Sequence, residues 1–167
     1  MFRELFLKAI GKYDCPDVLN YNESFDTPQK ITKEYKKGNW SYNEFNVGRH
    51  LYRMEFGDSQ NTEIIFDVWK SNKWQYAIVT NNLTKSEVLA LLSTIIQIAK
   101  DNNLDKKDSI FVSSVSPKKF MLYRKMFTKM FATHDLMIDE KEGKVIAINR
   151  KPKGKIPKKF ISKNKKG

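Results

Sequence analysis

Apolar residues recur along this chain at two different periods, and the places where one gives way to the other mark the elements. In the opening run FRELFLKAIGKY, Phe2, Leu5, Phe6, Ala9 and Ile10 share one helical face and Gly11 stands just past its end, so a short amphipathic helix is predicted over residues 2–13. Residues 14–46 are polar and irregular in pattern, with one candidate strand at 30–35. Three strand-like runs follow, at 49–56, 62–70 and 73–80. The first alternates Tyr52, Met54 and Phe56 against Leu51, Arg53 and Glu55, the others are rich in β-branched and aromatic residues, and the connections GDSQN and SN have turn chemistry. The pattern predicts an antiparallel meander.

The period then changes. TKSE at Thr84–Glu87 is a capping box, in which Thr84 accepts from a backbone N–H and Glu87 reaches back, and Val88, Leu91, Leu92, Ile95, Ile96 and Ala99 continue as a broad apolar stripe. Residues 109–115 form a short strand of the buried kind. Ser116 as N-cap and Pro117 at the first helical position open a second helix. Along SPKKFMLYRKMFTKMF, the residues Phe120, Tyr123, Phe127, Met130 and Phe131 fall on one side, and Lys118, Lys119, Lys125 and Lys129 fall elsewhere on the wheel. The first set reads as core and the second as a basic outer face. Segments 136–139 and 144–149 close the domain as a hairpin turning at Glu142-Gly143.

Charge adds a division to this picture. The net charge of +12 is concentrated at the C-terminus: residues 150–167 hold nine Lys or Arg and no acid, while residues 1–149 hold 22 basic and 19 acidic residues, a net of +3. The segment RKPKGKIPKKFISKNKKG has Ile156, Phe160 and Ile161 as its only apolar side chains and two prolines, a composition that does not fold by itself. The expected organisation is therefore one domain over residues 1–150 and a basic tail over 151–167. That tail reads either as a solubilising terminus or as an arm that neutralises phosphates with Lys151, Lys153, Lys155, Lys158, Lys159, Lys163, Lys165 and Lys166.

Other chemistry is sparse. Cys15 is the only cysteine, so an intramolecular disulfide is impossible, and with no secretory signal pattern the expected setting is intracellular and not secreted. The apolar run at 88–99 is too short to span a bilayer, so no membrane partner is expected. His50 and His134 are not at ligand spacing from each other or from Cys15, and no metal site is expected. Trp40, Trp69 and Trp74 could stack on bases, although Trp69 and Trp74 flank the SN turn and cross-strand packing explains them as well.

The order of elements resembles the GNAT (N-acetyltransferase) fold, and KKFMLYRKMF is similar to that family's last helix, with its Leu-Tyr pair. FRELFLKAIGKY, LLSTIIQIAKDN and SIFVSSVSPKKFMLYRKMFTKMF together resemble small GNAT-like proteins of tailed bacteriophages. The resemblance implies an α+β class: an antiparallel meander, then helix, strand, helix and a final hairpin. It implies coenzyme A as the family's cofactor, Tyr123 as the general acid and a carboxylate such as Glu63 or Asp67 as the base. This chain departs from the family at the pyrophosphate loop, where TNNLTKSEV holds no glycine and none occurs between Gly57 and Gly143. The expected function is accordingly a non-catalytic phage protein, in the host cytoplasm or the virion, that engages nucleic acid, an acidic protein surface or other phage proteins through the basic tail and helix face, without a cofactor. A coenzyme A-dependent N-acetyltransferase is the alternative.

Overall fold

The computed structural model describes residues 27–76, 83–113 and 120–160. The helix expected over 2–13 and the Ser116-Pro117 helix start lie outside these residues. Within them the elements run β1 (Ile31–Lys37), β2 (Trp40–Val47), β3 (His50–Gly57), β4 (Asn61–Lys70), β5 (Lys73–Tyr76), α1 (Lys85–Asp101), β6 (Ser109–Val112), α2 (Phe120–Met130), β7 (His134–Asp139) and β8 (Lys144–Asn149). Single 3-10 turns stand at Leu104–Lys106 and Lys158–Phe160.

All eight strands join one sheet in the order β1-β2-β3-β4-β6-β8-β7, with β5 paired to β4 beside that path. β4 organises the pairing. On one edge it runs antiparallel to β3; on the other, Asn61–Glu63 pair in parallel with Ser109–Phe111, while Asp67–Lys70 pair antiparallel with β5. Ser71 and Asn72 make the two-residue turn between β4 and β5 with φ of 55° and 60°, the left-handed geometry that matches strand twist in tight hairpins.

These pairings overturn the expectation of a GNAT-like α+β fold. The described chain is mostly β, a single mixed eight-stranded sheet with two helices, both on the same face. The misreading began in residues 14–46. Its second half forms β1, which matches the candidate strand at 30–35, and β2, whose buried positions include Ser41 and Asn43 against outward Trp40 and Tyr42, which hides the period-2 signal. The expected three-strand meander is thus a five-strand one, and its last strand folds back onto the second half of β4.

Burial divides the sheet into two faces. Phe45, Val47, Tyr52, Met54, Phe56, Ile64, Phe66 and Val68 point to the helix face, where they join Leu91, Leu92 and Ile95 of α1 and Tyr123, Met126 and Phe127 of α2 in one cluster. The α2 stripe is core as its spacing predicts, with Phe127 and Phe131 in edge-to-face contact at 5.1 Å. The capping box also forms as the sequence predicts: Thr84 N donates to Glu87 Oε1 at 2.9 Å and Glu87 N to Thr84 Oγ1 at 3.2 Å. The β2–β3 turn presses on this cap. Gly48 has φ +60°, and a Cβ there would collide with the Glu87 carboxylate, so the turn needs glycine for both reasons. Before β1 the chain crosses α1, where Thr27 N and Gln29 N donate to Ser93 Oγ and Thr94 Oγ1.

The outer face is covered over only part of its width by described residues. Over β6, β8 and β7, the residues Phe111, Ile146, Met137 and Ile148 form a second, smaller cluster closed by Ile156 and Phe160 of the C-terminal segment. Phe160 is 3% exposed and meets Phe111 edge-to-face at 4.8 Å.

Phe127 has no exposed surface, and Phe127→Ala is expected to cost about 3–5 kcal/mol from lost transfer energy and the cavity left behind. Phe160→Ala is expected to cost less, because its cluster is small, and to open residues 151–160 to protease while the sheet stays folded. Chemical denaturation and limited proteolysis of the two variants check this contrast.

Candidate nucleic-acid interface

The basic C-terminal segment does not leave the domain at residue 150. Asp108, 2% exposed in the turn before β6, accepts two backbone hydrogen bonds from it: Lys153 N at 2.8 Å and Gly154 N at 3.0 Å. A carboxylate holding two N–H groups is a charge-assisted clamp, stronger than neutral hydrogen bonds. Lys151 N donates to Asn149 Oδ1 at 2.9 Å, and Lys144 Nζ donates to Lys159 O at 3.3 Å. With Phe160 buried at the far end, residues 151–160 form a strap fixed at both ends to the outer face. Its side chains Lys151, Lys153, Lys155, Lys158 and Lys159 are all exposed.

At the root of the strap lies an open groove of about 560 Å³ lined by four cations, Lys106, Arg150, Lys151 and Lys153, against one acid, Asp105. Arg150 also holds the groove's wall: Nε donates to Asp135 at 2.9 Å and Nη1 to Ala132 O at 3.2 Å, tying the end of β8 to the turn after α2. His134 packs behind it. Its Nε2 pairs with Lys107 O at 2.8 Å, and burial depresses its pKa, so it is a neutral core histidine. Lys107 is structural too, with its Nζ donating to Asp58 O and Ser59 O at 3.1 and 2.7 Å and burial lowering its pKa.

The structure brings some of the expected residues together and separates others. Lys151 and Lys153 share the groove, and Lys155, Lys158 and Lys159 continue along the strap. Lys125 and Lys129 lie on α2, on the opposite face of the sheet from Phe160, so the helix and the strap present two separate basic surfaces. Lys129 is exposed; Lys125 is half-buried, and its pKa is lowered by burial and then by Lys129. Lys118, Lys119, Lys163, Lys165 and Lys166 lie outside the described residues. Tyr123 is in the core, 6% exposed beside Phe66, where burial raises its pKa far above the ordinary phenol range. The two carboxylates considered as its partner base are engaged elsewhere: Glu63 accepts from Ser113 Oγ at 2.5 Å and Asp67 from Arg53 Nε at 3.0 Å.

That last bond belongs to a cluster that sequence reasoning missed. On the outer face of β1–β5, Arg53 bonds Asp67 and Glu55, donates to Tyr35 Oη at 3.3 Å, and lies over the rings of Tyr42 and Trp74 at 5.1 and 4.2 Å. Tyr35 and Tyr42 stack at 4.9 Å, and Trp69 and Trp74 meet edge-to-face at 5.2 Å. Burial, followed by the hydrogen bond and charge of Asp67, pushes the Glu55 carboxyl up to about 8 against the opposing pull of Arg53. The available signal was an Arg-x-Glu on one strand and an Asp on the next, which becomes a cluster only once Arg53 is known to face Asp67. Among the described residues no group of three or more His, Cys, Asp and Glu is placed to hold a metal ion, and no helix is long and apolar enough to cross a membrane.

Glu55 generates a pH dependence whose sign follows from its raised pKa. Between the unfolded carboxyl near 4.5 and the folded one near 8, the folded state keeps a proton that the unfolded state releases, so this group's contribution to stability falls as pH rises through that window. Glu55→Gln keeps a donor toward Asp67 and removes the titration. Its melting temperature is expected to gain on the parent protein's between pH 5 and pH 8.5; an equal difference at the two pH values would refute the assignment.

Comparison with family models, curated proteins and solved structures gives no match for this chain.

Proposed function

We propose that this protein binds nucleic acid through the phosphate backbone, using the anchored strap and the groove at its root. The observation that carries the reading is the anchoring. A tail that only confers solubility needs no fixed conformation, yet here a buried carboxylate and a buried phenylalanine hold the segment in place against the conformational entropy of its ten residues. What the anchoring displays is five exposed lysines with no acid among residues 151–160. Lysines held in register with a polyanion release counterions on binding without first having to be ordered.

The reading stands on this display of charge and does not use the resemblance to phage proteins. Contacts of this kind fix position without reading bases, so no sequence preference follows from the strap.

Fluorescence anisotropy with a labelled duplex across a salt series tests the proposal. Each lysine that meets a phosphate adds about 0.9 to the slope of log K against log salt on duplex DNA. Replacing Lys151, Lys153, Lys155, Lys158 and Lys159 with serine is expected to flatten that slope by up to about 4.5 and to weaken binding at least tenfold; an unchanged slope overturns the reading. Asp108→Ala keeps every lysine and frees the backbone, and the acid it removes would by itself only favour a polyanion. It is expected to weaken duplex binding several-fold, and full affinity in that variant, with the strap shown by proteolysis to be released, would mean that the lysines act as an ordinary charged tail.

A further inference from the structure

The strap and the Arg53 cluster occupy the same face of the same sheet. Glu63 of β4 is the register partner of Phe111, on which Phe160 sits, so the strap begins one strand beyond the outward row Glu63, Ile65, Asp67, Trp69 of β4. We propose that the part of this face over β1–β5 that the described residues leave uncovered is a stacking platform for the bases of single-stranded nucleic acid, whose phosphates continue onto the strap. The inference rests on the phosphate-binding reading and adds the class of nucleic acid.

Three features point to this occupant. The rings are exposed where stacking needs them: Trp69 is 42% and Tyr76 79% exposed, and both belong to the β4–β5 hairpin. Tyr76 is the register partner of Asp67, as Trp74 is of Trp69, so all three rings of the hairpin face outward. The platform is also preformed. Arg53 between Tyr42 and Trp74, and Tyr35 stacked on Tyr42, fix the inner rings, so little conformational freedom remains to be lost on binding. Finally, cations stand at the edge of the platform. Lys33 and Lys37 extend over the Tyr35 ring at 5.1 and 5.7 Å along the β1 edge. At the centre Arg53 pairs with Asp67, and Glu44 and Glu63, the latter hydrogen-bonded to Ser113, are the acids of this part of the face beside Glu55, whose pKa burial raises. Every base has a π-face to offer an aromatic ring, but only an unpaired strand can turn its bases out onto a sheet.

All three tryptophans, Trp40, Trp69 and Trp74, have outward register positions on β2, β4 and β5, so their fluorescence reports the platform directly. The experiment titrates the full chain with a twelve-residue oligothymidylate, a duplex of equal length and neutral maltoheptaose. Quenching by the oligothymidylate is expected. Trp69→Ala/Tyr76→Ala is expected to lose at least tenfold in affinity for it while duplex affinity stays within twofold. Tyr76→Ala alone, at a position too exposed to affect folding, is expected to lose about fivefold.

Equal losses on single strand and duplex, or single-strand binding without quenching, would overturn the platform and leave the strap reading standing. Quenching by maltoheptaose instead would assign the face to sugars and overturn it as well. If the parent protein binds neither oligonucleotide, the phosphate-binding reading fails and the platform fails with it.

Discussion

The rest of this structure depends on how the second edge of β4 is shared. A ten-residue strand in the middle of a sheet must satisfy its backbone groups on both sides, and β6, paired over three residues, is too short to do so. The hairpin through Ser71 and Asn72 brings β5 back to take the last four. One strand thereby joins an antiparallel meander to the β6–β8–β7 unit, and the sheet acquires two continuous faces. The helices cover one of them. The other is divided between the strap and the aromatic cluster because β6 and β5 each meet a different half of β4.

That division explains why charge is distributed as it is. Over β6, β8 and β7 the outward residues are Phe111, Ile146, Met137 and Ile148, which require cover, and a segment with only two apolar side chains in its described part supplies it by placing both of them there. Over β1–β5 the outward residues are tyrosines, tryptophans, Arg53 and carboxylates, which satisfy one another within the face. The β1 edge holds Lys33, Lys36 and Lys37, and such charges oppose strand pairing with another copy. Two of them, Lys33 and Lys37, also lie over the Tyr35 ring on the outer face.

Local signals in the sequence located most elements, and non-local pairing decided what they build. TKSE, the α2 stripe and the alternation in β3 each carry their own periodicity, and each forms where it predicts. The class was misjudged because β2 has little apolar alternation and went unread, while β1, expected at 30–35, carries no signal of what it pairs with. Part of the candidate site was legible as composition, since the lysine-rich end of the chain is plain to see. Its anchoring was not. Asp108 is one aspartate in a loop, and it becomes a clamp only because β6 places it beside the segment that follows β8. Tyr123 shows the opposite error: its spacing placed it in the core, and only the resemblance gave it chemistry.

Anchoring and charge make opposite demands on the strap. Five lysines in ten residues repel one another, which favours an extended chain in water, while a defined binding surface requires them to be held close to the sheet. The clamp meets both demands by bonding to backbone N–H groups and not to the lysine side chains. A carboxylate paired with a lysine ammonium would have neutralised one of the charges that the strap displays. Asp108 instead binds Lys153 through its main chain, so the side chain of the residue most tightly held remains exposed at the groove. At the other end Phe160 is buried and Lys144 donates to Lys159 O, again without engaging a strap ammonium group. The outcome is a segment fixed through its main chain and one phenyl ring, with its lysine side chains left exposed.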